Sequence, residues 1–286
     1  MKQLSFTTTG SFALCEGFGC ASLGLPGVCG NDEKCVITDS RKLEAVELTG
    51  TYKEILAGVG QVKKPVQAAV VLFGNVGGEN VFLAELQKTL HCPIVGGGAA
   101  IDFASNTSGL ITGRGEAALL LITDDRYTYQ TETLCIHDQI LDTCTLTLAD
   151  PRTILTINGV DAVEFYNQKR QELGLRDTDF EHLTLSDLRG VNAHLSIPGD
   201  KLCSGRDLQE RMLLRYVDHS KVYETMGKFY DDEDAVVFGC AGLSGLLDKP
   251  LATKSLGLFL FGEVCMADGY AEFGNLMLSK LKILPK

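Results

Sequence analysis

The chain has 286 residues, of which 45% are hydrophobic and 22% charged, and it carries a formal net charge of −11 at pH 7. This composition predicts a globular protein of one large domain or two ordinary ones, and it excludes a disordered chain. The negative charge argues against a nucleic-acid surface, since phosphate binding requires clustered Lys and Arg. No apolar stretch reaches the roughly 18 residues that a membrane-spanning helix needs, and the first residues make a poor signal peptide. We therefore expect no membrane insertion and a cytoplasmic location.

The first half of the chain predicts a strand–helix–strand unit of the length that a parallel crossover needs. The helix is indicated by four apolar residues that share one face, namely Phe82, Leu83, Leu86 and Leu90. The predicted elements are short strands at 11–15 and 35–38, a partly helical segment at 41–58, a strand at 67–73, a turn at 74–78, a helix at 79–90, strands at 94–97, 110–113 and 116–123, and a continuation of the sheet through 132–148.

The second half predicts a similar alternation of strands and helices. Asp150-Pro151 marks the predicted boundary between a first domain, 1–150, and a second, 151–286. Residues 206–217 leave two interpretations open, because their composition favours a helix while the surrounding short segments allow a strand at 212–217. The remaining predicted elements are a strand and turn at 153–159, a helix at 160–173, a mixed segment at 176–190, and strands at 234–240, 256–262 and 270–278.

One pattern occurs twice in the chain. AVVLFG (69–74) ends one apolar run, and a second apolar run then reaches Gly97. DAVVFG (234–239) ends a similar run, and Gly262 follows it at the same spacing. The equal spacing predicts one supersecondary unit that is used twice, with glycines where strands end. In α/β sheets, such strand ends are where ligands approach the backbone.

Four segments carry motifs that occur in a recognisable order. They are AAVVLFGNVGGENVFLAELQKTLHCPIVGGGAA (68–100), TILTINGVDAVEFYNQ (153–168), DAVVFGCAG (234–242) and FGEVCMADGYAEFGNLML (261–278). Together they resemble the FIST family (F-box and intracellular signal transduction). The first is similar to the strand, helix and Gly-Gly turn of the family's N-terminal half, and the other three are similar to successive motifs of its C-terminal half. The resemblance implies a FIST N-like domain followed by a FIST C-like domain.

The resemblance also implies a function. It suggests a cytoplasmic α/β sensory or ligand-binding module for small molecules such as amino acids, and some members of the family bind haem and report nitric oxide to partner kinases or cyclases. The chain departs from the family pattern in residues 1–60, and Ala241-Gly242-Leu243-Ser244 stands where an Arg commonly follows the Cys motif. The ligand preferences of longer members therefore do not transfer directly.

Cys240 and Glu263 have the most distinctive chemistry at the predicted strand ends. The Cys240 thiol is interpreted as a ligand contact, a redox sensor or a nucleophile, with a small buried residue as the alternative. Glu263 follows Gly262, and its carboxylate either binds a ligand amine or accepts backbone N–H groups that hold the turn. If the protein is an enzyme, these two residues are its catalytic pair, although the sequence identifies no His or Asp partner for the thiol.

Strand-end glycines and three asparagines complete the predicted ligand site. GNVGG (74–78) opens a helix whose free N–H groups can hold an anion, with a tight turn as the alternative. Asn75 occupies the place in the first half that Cys240 takes in the second. Asn275 lies in an apolar hairpin, where its amide must be hydrogen-bonded. The predicted ligand-binding residues are Gly74, Asn75, Gly77, Gly96, Gly97, Gly98, Asn106, Gly239, Cys240, Gly262, Glu263 and Asn275.

Metal and haem sites are alternatives to a cofactor-free protein. Four of the ten cysteines, Cys15, Cys20, Cys29 and Cys35, form the pattern C-x4-C-x8-C-x5-C. This pattern indicates either an iron–sulfur or other metal site or a glycine-rich loop with free thiols, and the absence of a C-x2-C pair favours the loop. His91-Cys92-Pro93 carries a Cys-Pro dipeptide of the kind that sometimes accompanies haem ligation, but the proline also ends the preceding helix. No cofactor is predicted, and haem is the alternative.

We therefore predict an α/β protein with mixed β-sheets, in two pseudo-repeated halves that pack together and are flanked by helices. The predicted function is sensory, with a small-molecule ligand in a cleft between the halves. A signalling partner protein would receive the signal, and exposed strand edges favour a homodimer. The alternatives are a Cys-dependent enzyme that uses Cys240 and Glu263, and a haem or metal sensor of gas or redox state.

Overall fold

The computed structural model describes residues 8–9, 19–22, 33–36, 43–74, 77–99, 115–247, 249, 251 and 253–286. None of the helices in this part of the chain combines the length and the apolar character that crossing a bilayer requires. The helices are α1 (Tyr52–Val59), α2 (Glu79–Thr89), α3 (Ala162–Glu172) and α4 (His219–Phe229), and short 3-10 helices span Phe180–His182 and Ala241–Leu246.

The strands follow the apolar runs of the sequence, and most are short. In chain order they are β1 (Thr8–Thr9), β2 (Gly19–Ser22), β3 (Glu33–Val36), β4 (Ala45–Gly50), β5 (Ala68–Phe73), β6 (Ile94–Gly98), β7 (Ala117–Ile122), β8 (Tyr127–Cys135), β9 (Gln139–Asp150), β10 (Thr153–Ile157), β11 (Val160–Asp161), β12 (Leu183–Ser186), β13 (Asn192–Ala193), β14 (Leu195–Ser196), β15 (Leu202–Ser204), β16 (Arg211–Tyr216), β17 (Ala235–Cys240), β18 (Leu256–Leu260), β19 (Glu263–Ala267), β20 (Tyr270–Gly274) and β21 (Met277–Pro285).

Pairing arranges these strands into four sheets. The six-stranded sheet has the order β20-β19-β6-β5-β7-β4, and the four-stranded sheet has the order β18-β17-β21-β8. Both are mixed, because β5 runs parallel to β6 and β17 runs parallel to β18, while the other neighbours are antiparallel. A third sheet has the order β13-β12-β16-β9-β10-β15-β14 with β11 on β10, and β1-β3-β2 form the fourth. The predicted α/β class, with mixed sheets flanked by helices, is confirmed.

The six-stranded and four-stranded sheets pack face to face, and their facing side chains form one apolar cluster. Successive residues of a strand point to opposite faces, so β5 places alternate residues in this cluster and the others against the helices. Both faces of β5 and β17 are buried, which explains why their sequences are continuous apolar runs. The cluster includes Val70, Leu72, Leu120, Val236, Phe238, Leu258, Leu281 and Ile283.

Helices cover the outer faces of both central sheets and give a helix–sheet–sheet–helix stack. Helix α1 begins at a capping box, in which the Thr51 side chain accepts the Glu54 N–H and the Glu54 carboxylate accepts the Thr51 N–H at 2.8 Å. The outer helices bury Ile55 and Val59 of α1, Phe82, Leu83 and Leu86 of α2, and Val222, Met226 and Phe229 of α4.

Helix α3 packs on the third sheet. It follows a turn in which Asn158 and Gly159 both have positive φ, 53° and 81°. The Asp161 carboxylate caps the helix by accepting two N–H groups of its first turn, each at 3.0 Å. Gly174, with a φ of 68°, lies just beyond the helix end. The predicted strand, turn and helix between residues 153 and 173 are therefore confirmed.

Two segments take strand structure against local propensity. Residues 45–50, predicted within a partly helical segment, form β4, because six residues pair with β7. Residues 206–217 contain the strand β16, which pairs with β12 and β9 and buries Met212 and Leu214. In both cases tertiary pairing outweighs the intrinsic preference of the residues.

Two predicted strands are interrupted by residues with positive φ. The predicted strand 270–278 is two strands, β20 and β21, separated by Asn275 and Leu276, and Leu276 has a φ of 54°. The predicted strand 256–262 ends at Leu260, and Gly262, with a φ of 78°, leads into β19 of the other sheet. The predicted strands 11–15 and 110–113 lie outside the described residues.

Both central sheets combine strands from the two sides of the predicted boundary. In the six-stranded sheet β6 pairs with β19, and in the four-stranded sheet β21 pairs with β8. Asp150 is the last residue of β9, and Pro151 begins the short turn to β10, which pairs antiparallel with β9. In both β6-β5-β7 and β18-β17-β21, the first two strands are parallel and the last two are antiparallel. The domain division and the pseudo-repeat stay predictions.

Replacing Gly97 by Ala is expected to destabilise the fold by about 1–3 kcal/mol or more. A Cβ atom at Gly97 would lie 2.3 Å from the Gly262 carbonyl oxygen, a backbone atom held by the pairing of β6 with β19. Urea denaturation followed by circular dichroism measures the change. The matched control is Gly227→Ala in α4, where an added Cβ meets no atom within 4 Å and should stabilise by about 0.5–1 kcal/mol. Similar effects of the two substitutions would contradict the assigned packing.

Candidate functional site

The glycine run of β6 lets two backbones approach closely. Gly97 pairs with Glu263 of β19, and the Gly98 N–H donates to the Gly262 carbonyl oxygen at 3.1 Å. Gly96 has a φ of +136°, which side chains rarely tolerate. In the described structure, these glycines therefore serve backbone packing between β6 and the start of β19.

Glu263 joins the two central sheets. Its strand pairs with β6, whereas its carboxyl group reaches β21, where Oε1 accepts the Met277 N–H at 2.7 Å. The side chain is fully buried, and Oε2 has no hydrogen-bond partner. Burial raises the pKa of Glu263 well above its usual range, against the opposing effects of the Met277 amide and the Cys240 thiol. The buried side chain therefore favours the neutral carboxylic acid.

Cys240 lies beside Glu263, so the structure brings the two predicted residues together. The residue ends β17 and is 6% exposed. Burial, followed by the Glu263 charge, raises the pKa of the Cys240 thiol to about 12, while the N–H groups of Leu276, Gly242 and Gly262 oppose the shift. Such a thiol is protonated at neutral pH and is a weak nucleophile. The folded chain thus disfavours thiolate chemistry at Cys240.

Tyr230 is a third buried polar group near this pair. Its hydroxyl has no hydrogen-bond partner, and burial, followed by the Glu263 charge, raises its pKa. A Cβ atom at Gly239 would lie 3.0 Å from this hydroxyl, so the glycine leaves room for the ring. Tyr230, Cys240 and Glu263, here called the buried cluster, all favour their neutral forms. They do not form a charged nucleophile–base pair.

Asn275 connects the strands near the buried cluster to the third sheet. Its Oδ1 accepts the His194 N–H at 3.3 Å, and its own N–H donates to the Asn192 carbonyl at 3.0 Å. A Cβ atom at Gly205 would lie 2.6 Å from Oδ1, so the loop after β15 packs directly on this amide. The buried amide is therefore hydrogen-bonded, as expected. The loops that contact it, around His194 and Gly205, were not predicted to belong to the site.

At the start of α2, a carboxylate of the helix itself accepts a backbone N–H of the preceding turn. The Gly77 N–H donates to Glu79 Oε1 at 2.7 Å, and Arg152 donates to Glu79 Oε2 at 3.1 Å. An internal carboxylate therefore takes one of the amides of GNVGG, for which the sequence left an anion site and a tight turn as alternatives. The predicted residues Asn75 and Asn106 lie outside the described part of the chain.

The described residues of the metal and haem alternatives lie in two places, on the paired strands β2 and β3 and just after α2. Cys15 and Cys29 are outside the described residues, and Cys20 and Cys35 occupy opposite positions of β2 and β3. Cys92 follows α2 and borders a surface pocket of about 680 Å³, and burial raises its thiol pKa to about 11. Within the described ranges, no three His, Cys, Asp or Glu side chains are grouped so that they could hold a metal ion.

A pocket of about 450 Å³ opens where α2 meets β20 and the loops that carry Arg189 and Arg206. Helix α2 belongs to the first half of the sequence, and the other elements belong to the second. The Asn80 side chain accepts the Phe273 N–H at 2.8 Å, and Gln87 donates to the turn between β19 and β20 at 3.3 Å, which ties α2 to β20. The described lining contains none of the predicted ligand-binding residues.

Arg189, Arg206 and Glu272 line this pocket, and the buried Asp187 contacts both arginines without lining the cavity. Arg206 is 4% exposed and donates to the Val191 carbonyl at 3.0 Å. Its Nη2 atom lies 3.5 Å from a carboxylate oxygen of Asp187 and 3.5 Å from one of Glu272. Arg189 pairs with Glu272, and its Nη2 atom lies 3.7 Å from Asp187. We call this group, with the surrounding cavity, the arginine pocket.

The two arginines and two acids balance in charge, but Arg206 makes only long contacts to its acids, at 3.5 Å. Arg206 Nε and Asp187 Oδ2 are buried and make no hydrogen bond. Burial raises the pKa of Glu272, and the two arginines oppose the shift. The pocket lining therefore contains a guanidinium group whose donors are not all used, next to the carboxylate of Glu272.

No family is shown for this chain beyond the resemblance of its motifs. A scan against protein-family models and a search of curated proteins both find no match. The geometry adds two separate polar groups of side chains, the buried cluster and the arginine pocket. Any function that combines the motifs with this geometry is a proposal.

Sequence reasoning missed the charged residues of the arginine pocket for identifiable reasons. Asp187 gave a usable signal, because it directly follows the fully buried strand β12. Glu272 alternates with the buried residues Ala271 and Phe273, a pattern that normally indicates the solvent face of a strand. Arg206 gave no local signal, because its carboxylate partner Glu272 is 66 residues away in the sequence.

Replacing Glu263 by Gln should remove a pH-dependent penalty on stability. The unfolded chain ionises Glu263 near the usual value of 4.5, whereas the folded chain keeps the proton to higher pH. The wild type therefore loses stability as pH rises above about 4.5, by up to about 1.4 kcal/mol per pH unit until the raised folded pKa is reached. Chemical denaturation between pH 5 and pH 8 should show the variant gaining relative to the wild type.

The control for this measurement is Glu224→Gln on the exposed side of α4. Lys228 lowers the pKa of Glu224, which gives a pH dependence of the opposite sign. This variant should not gain stability over the wild type as the pH rises. A stability difference for Glu263→Gln that is independent of pH would contradict the neutral buried acid.

Cys240 should resist thiol-selective alkylation in the folded protein. A pKa of about 12 against about 8.5 for a free thiol lowers the thiolate fraction at pH 8 by roughly a thousandfold. Peptide mapping by mass spectrometry after maleimide labelling should show faster modification of the half-buried Cys203, and labelling of Cys240 only after denaturation. A native reactivity midpoint for Cys240 below about 8.5 would instead support the Cys-dependent enzyme.

Proposed function

We propose that this protein is a sensory protein of the FIST type that binds a small molecule in the arginine pocket, in the cleft between the two halves of its sequence. Four motifs in the family order support the family part of the proposal. The arginine pocket supports the binding part, since about 450 Å³ lies within the usual range of roughly 300–1,000 Å³ for ligand sites. Cys240 and Glu263 line neither of the pockets described above, so the proposed site moves from these residues to the arginine pocket.

The ligand class that the pocket charges favour is a zwitterion such as an amino acid. A guanidinium group binds a carboxylate through parallel N–H donors, and a carboxylate accepts from a ligand ammonium. Arg206 and Glu272 supply these two groups, and both line the pocket. Tyr270, 60% exposed at the rim, offers an aromatic surface for the ligand side chain. Amino acids are also the ligands that the family resemblance implies.

The single observation that carries the proposal is the buried Arg206 guanidinium in the lining of the arginine pocket. Its contacts to carboxylates are long, at 3.5 Å, and its Nε atom makes no hydrogen bond. A buried polar atom without a partner costs roughly 1–3 kcal/mol. The carboxylate of an amino acid would supply an acceptor for this guanidinium, so its binding would recover part of this cost.

The sensory role requires a second protein that responds to the occupied state. A partner signalling protein, or a second copy of the chain, would provide that response. The pocket is bordered by α2 and β20, which belong to different halves of the sequence. A ligand there would change how tightly these elements are held together. A cytoplasmic location belongs to the same proposal.

Amino-acid binding is tested by thermal shift and calorimetry with the twenty standard amino acids. At a concentration of about 100 Kd, a ligand should stabilise the protein by about 2.7 kcal/mol. Arg206→Gln should weaken binding at least tenfold, because it removes one partner of a desolvated charge pair. Glu272→Gln, at a less buried position, is a second variant in case Arg206→Gln does not fold.

The matched control is Arg176→Gln, which removes an exposed guanidinium that pairs only with Asp179 among the described residues. This variant should bind with wild-type affinity. If no amino acid raises the melting temperature of the wild type, or if Arg206→Gln and Glu272→Gln bind as tightly as the control, the proposed function is wrong.

A further inference from the structure

A second pocket, of about 490 Å³, lies on α3 and the segment that follows it. It shares no lining residue with the arginine pocket. Its centre is Arg170, which is in the last turn of α3 and is 4% exposed. We call this cavity the Arg170 pocket.

Aromatic rings and a backbone carbonyl hold the Arg170 guanidinium in place. Its Cζ atom lies 4.6 Å from the ring centroid of Phe180 and 5.6 Å from that of Tyr166. One Nη atom donates to the Arg176 carbonyl oxygen. The rings of Tyr166 and Phe180 are nearly parallel, at an interplanar angle of 14°, with centroids 6.3 Å apart. The guanidinium is thus a fixed group in the wall of a cavity.

The charge of this guanidinium is not balanced by an ion pair. Within the described part of the chain, no carboxylate oxygen lies within 4 Å of Arg170, while its neighbours Lys169 and Arg176 each have such a partner. Arg170 Nε and the Tyr166 hydroxyl are both buried without a hydrogen bond. A buried cation with an unused donor in the wall of a cavity calls for an anionic acceptor.

The remaining lining defines what kind of anion fits. Asn167 and Gln171 place exposed amide groups at the pocket, and Leu175, Phe180 and Ile197 provide a half-buried apolar wall. Asp177 adds a negative charge at the rim, which opposes ions of more than one negative charge. These features together favour a monoanion with an apolar body.

We propose that the Arg170 pocket is a binding site for a small monocarboxylic acid with an apolar chain. The carboxylate accepts from the Arg170 guanidinium, whose planar donors match its geometry. The chain of the acid packs against Leu175, Phe180 and Ile197. This site is independent of the arginine pocket and of the amino-acid ligand proposed there.

Isothermal titration of the full chain with isovalerate tests the proposal, with isovaleramide as an uncharged ligand of the same shape. Isovalerate should bind, and isovaleramide should bind at least tenfold more weakly, because it lacks the charge that Arg170 recognises. Inorganic phosphate should also bind more weakly than isovalerate. No heat with isovalerate at millimolar concentration, or equal affinity for the acid and the amide, would overturn the proposal.

Variants at exposed positions separate binding from folding. Asp177→Asn removes the negative charge at the rim and should tighten isovalerate binding a few-fold, whereas Gln171→Glu adds a charge and should weaken it a few-fold. Arg170→Gln should abolish binding. Because Asp177 and Gln171 are exposed, their substitutions remain informative even if Arg170→Gln does not fold.

Two further variants decide which cavity is occupied. Arg176→Gln removes a neighbouring exposed guanidinium and should leave isovalerate binding unchanged, and Arg206→Gln in the arginine pocket should do the same. If binding is lost with Arg206→Gln and kept with Arg170→Gln, the acid occupies the arginine pocket and the Arg170 site is wrong. If amino acids fail to bind but isovalerate binds as described, only the proposed function fails.

Discussion

Gly97 and Glu263 occupy opposite positions of β6 and β19, and the arrangement of the interior follows from that contact. The approach is close enough that a Cβ atom on Gly97 would overlap the neighbouring backbone. It allows the chain to leave the four-stranded sheet at Leu260 and enter the six-stranded sheet at Glu263 within a short turn. The carboxyl group of Glu263 then reaches back to β21, so one residue is bonded to both sheets.

The molecule keeps two kinds of ionisable group apart. Inside the buried cluster, desolvation dominates, and the thiol, phenol and carboxyl group all favour neutral forms. In the arginine pocket and the Arg170 pocket, the charged groups border open cavities. A group that binds a charged ligand without large reorganisation is better placed beside an open pocket than inside the buried cluster.

The local sequence pattern was sufficient to predict the elements whose ends are marked by turn and capping residues. The strand–helix–strand unit around α2 and the strand, turn and helix ending at Gly174 follow directly from apolar periodicity. The sequence also indicated that Cys240 and Glu263 belong together, because both follow glycines at strand ends. The sequence left burial of Cys240 as one of two interpretations and did not decide between them, since burial depends on β21 and on the packing of one sheet on another.

Elements and residues that depend on distant pairing could not be predicted in this way. Strand β16 has helix-forming residues and becomes a strand only between β12 and β9. Arg206 and Glu272 have ordinary local surroundings and meet only in the folded chain. Charged residues next to fully buried strands, such as Asp187, are the signal that a closer reading of the sequence could have used.

The long antiparallel pairing of β8 with β21 has a kinetic consequence. Thr128 and Leu284, which are bonded across this pair, are 156 residues apart in the sequence. Closing such a large loop costs conformational entropy before native contacts form to compensate for it. Topologies of this kind therefore fold slowly. Until β21 arrives, one edge of β17 and the whole of β8 remain unpaired. A chain emerging from the ribosome would therefore carry open, aggregation-prone strand edges for much of its synthesis.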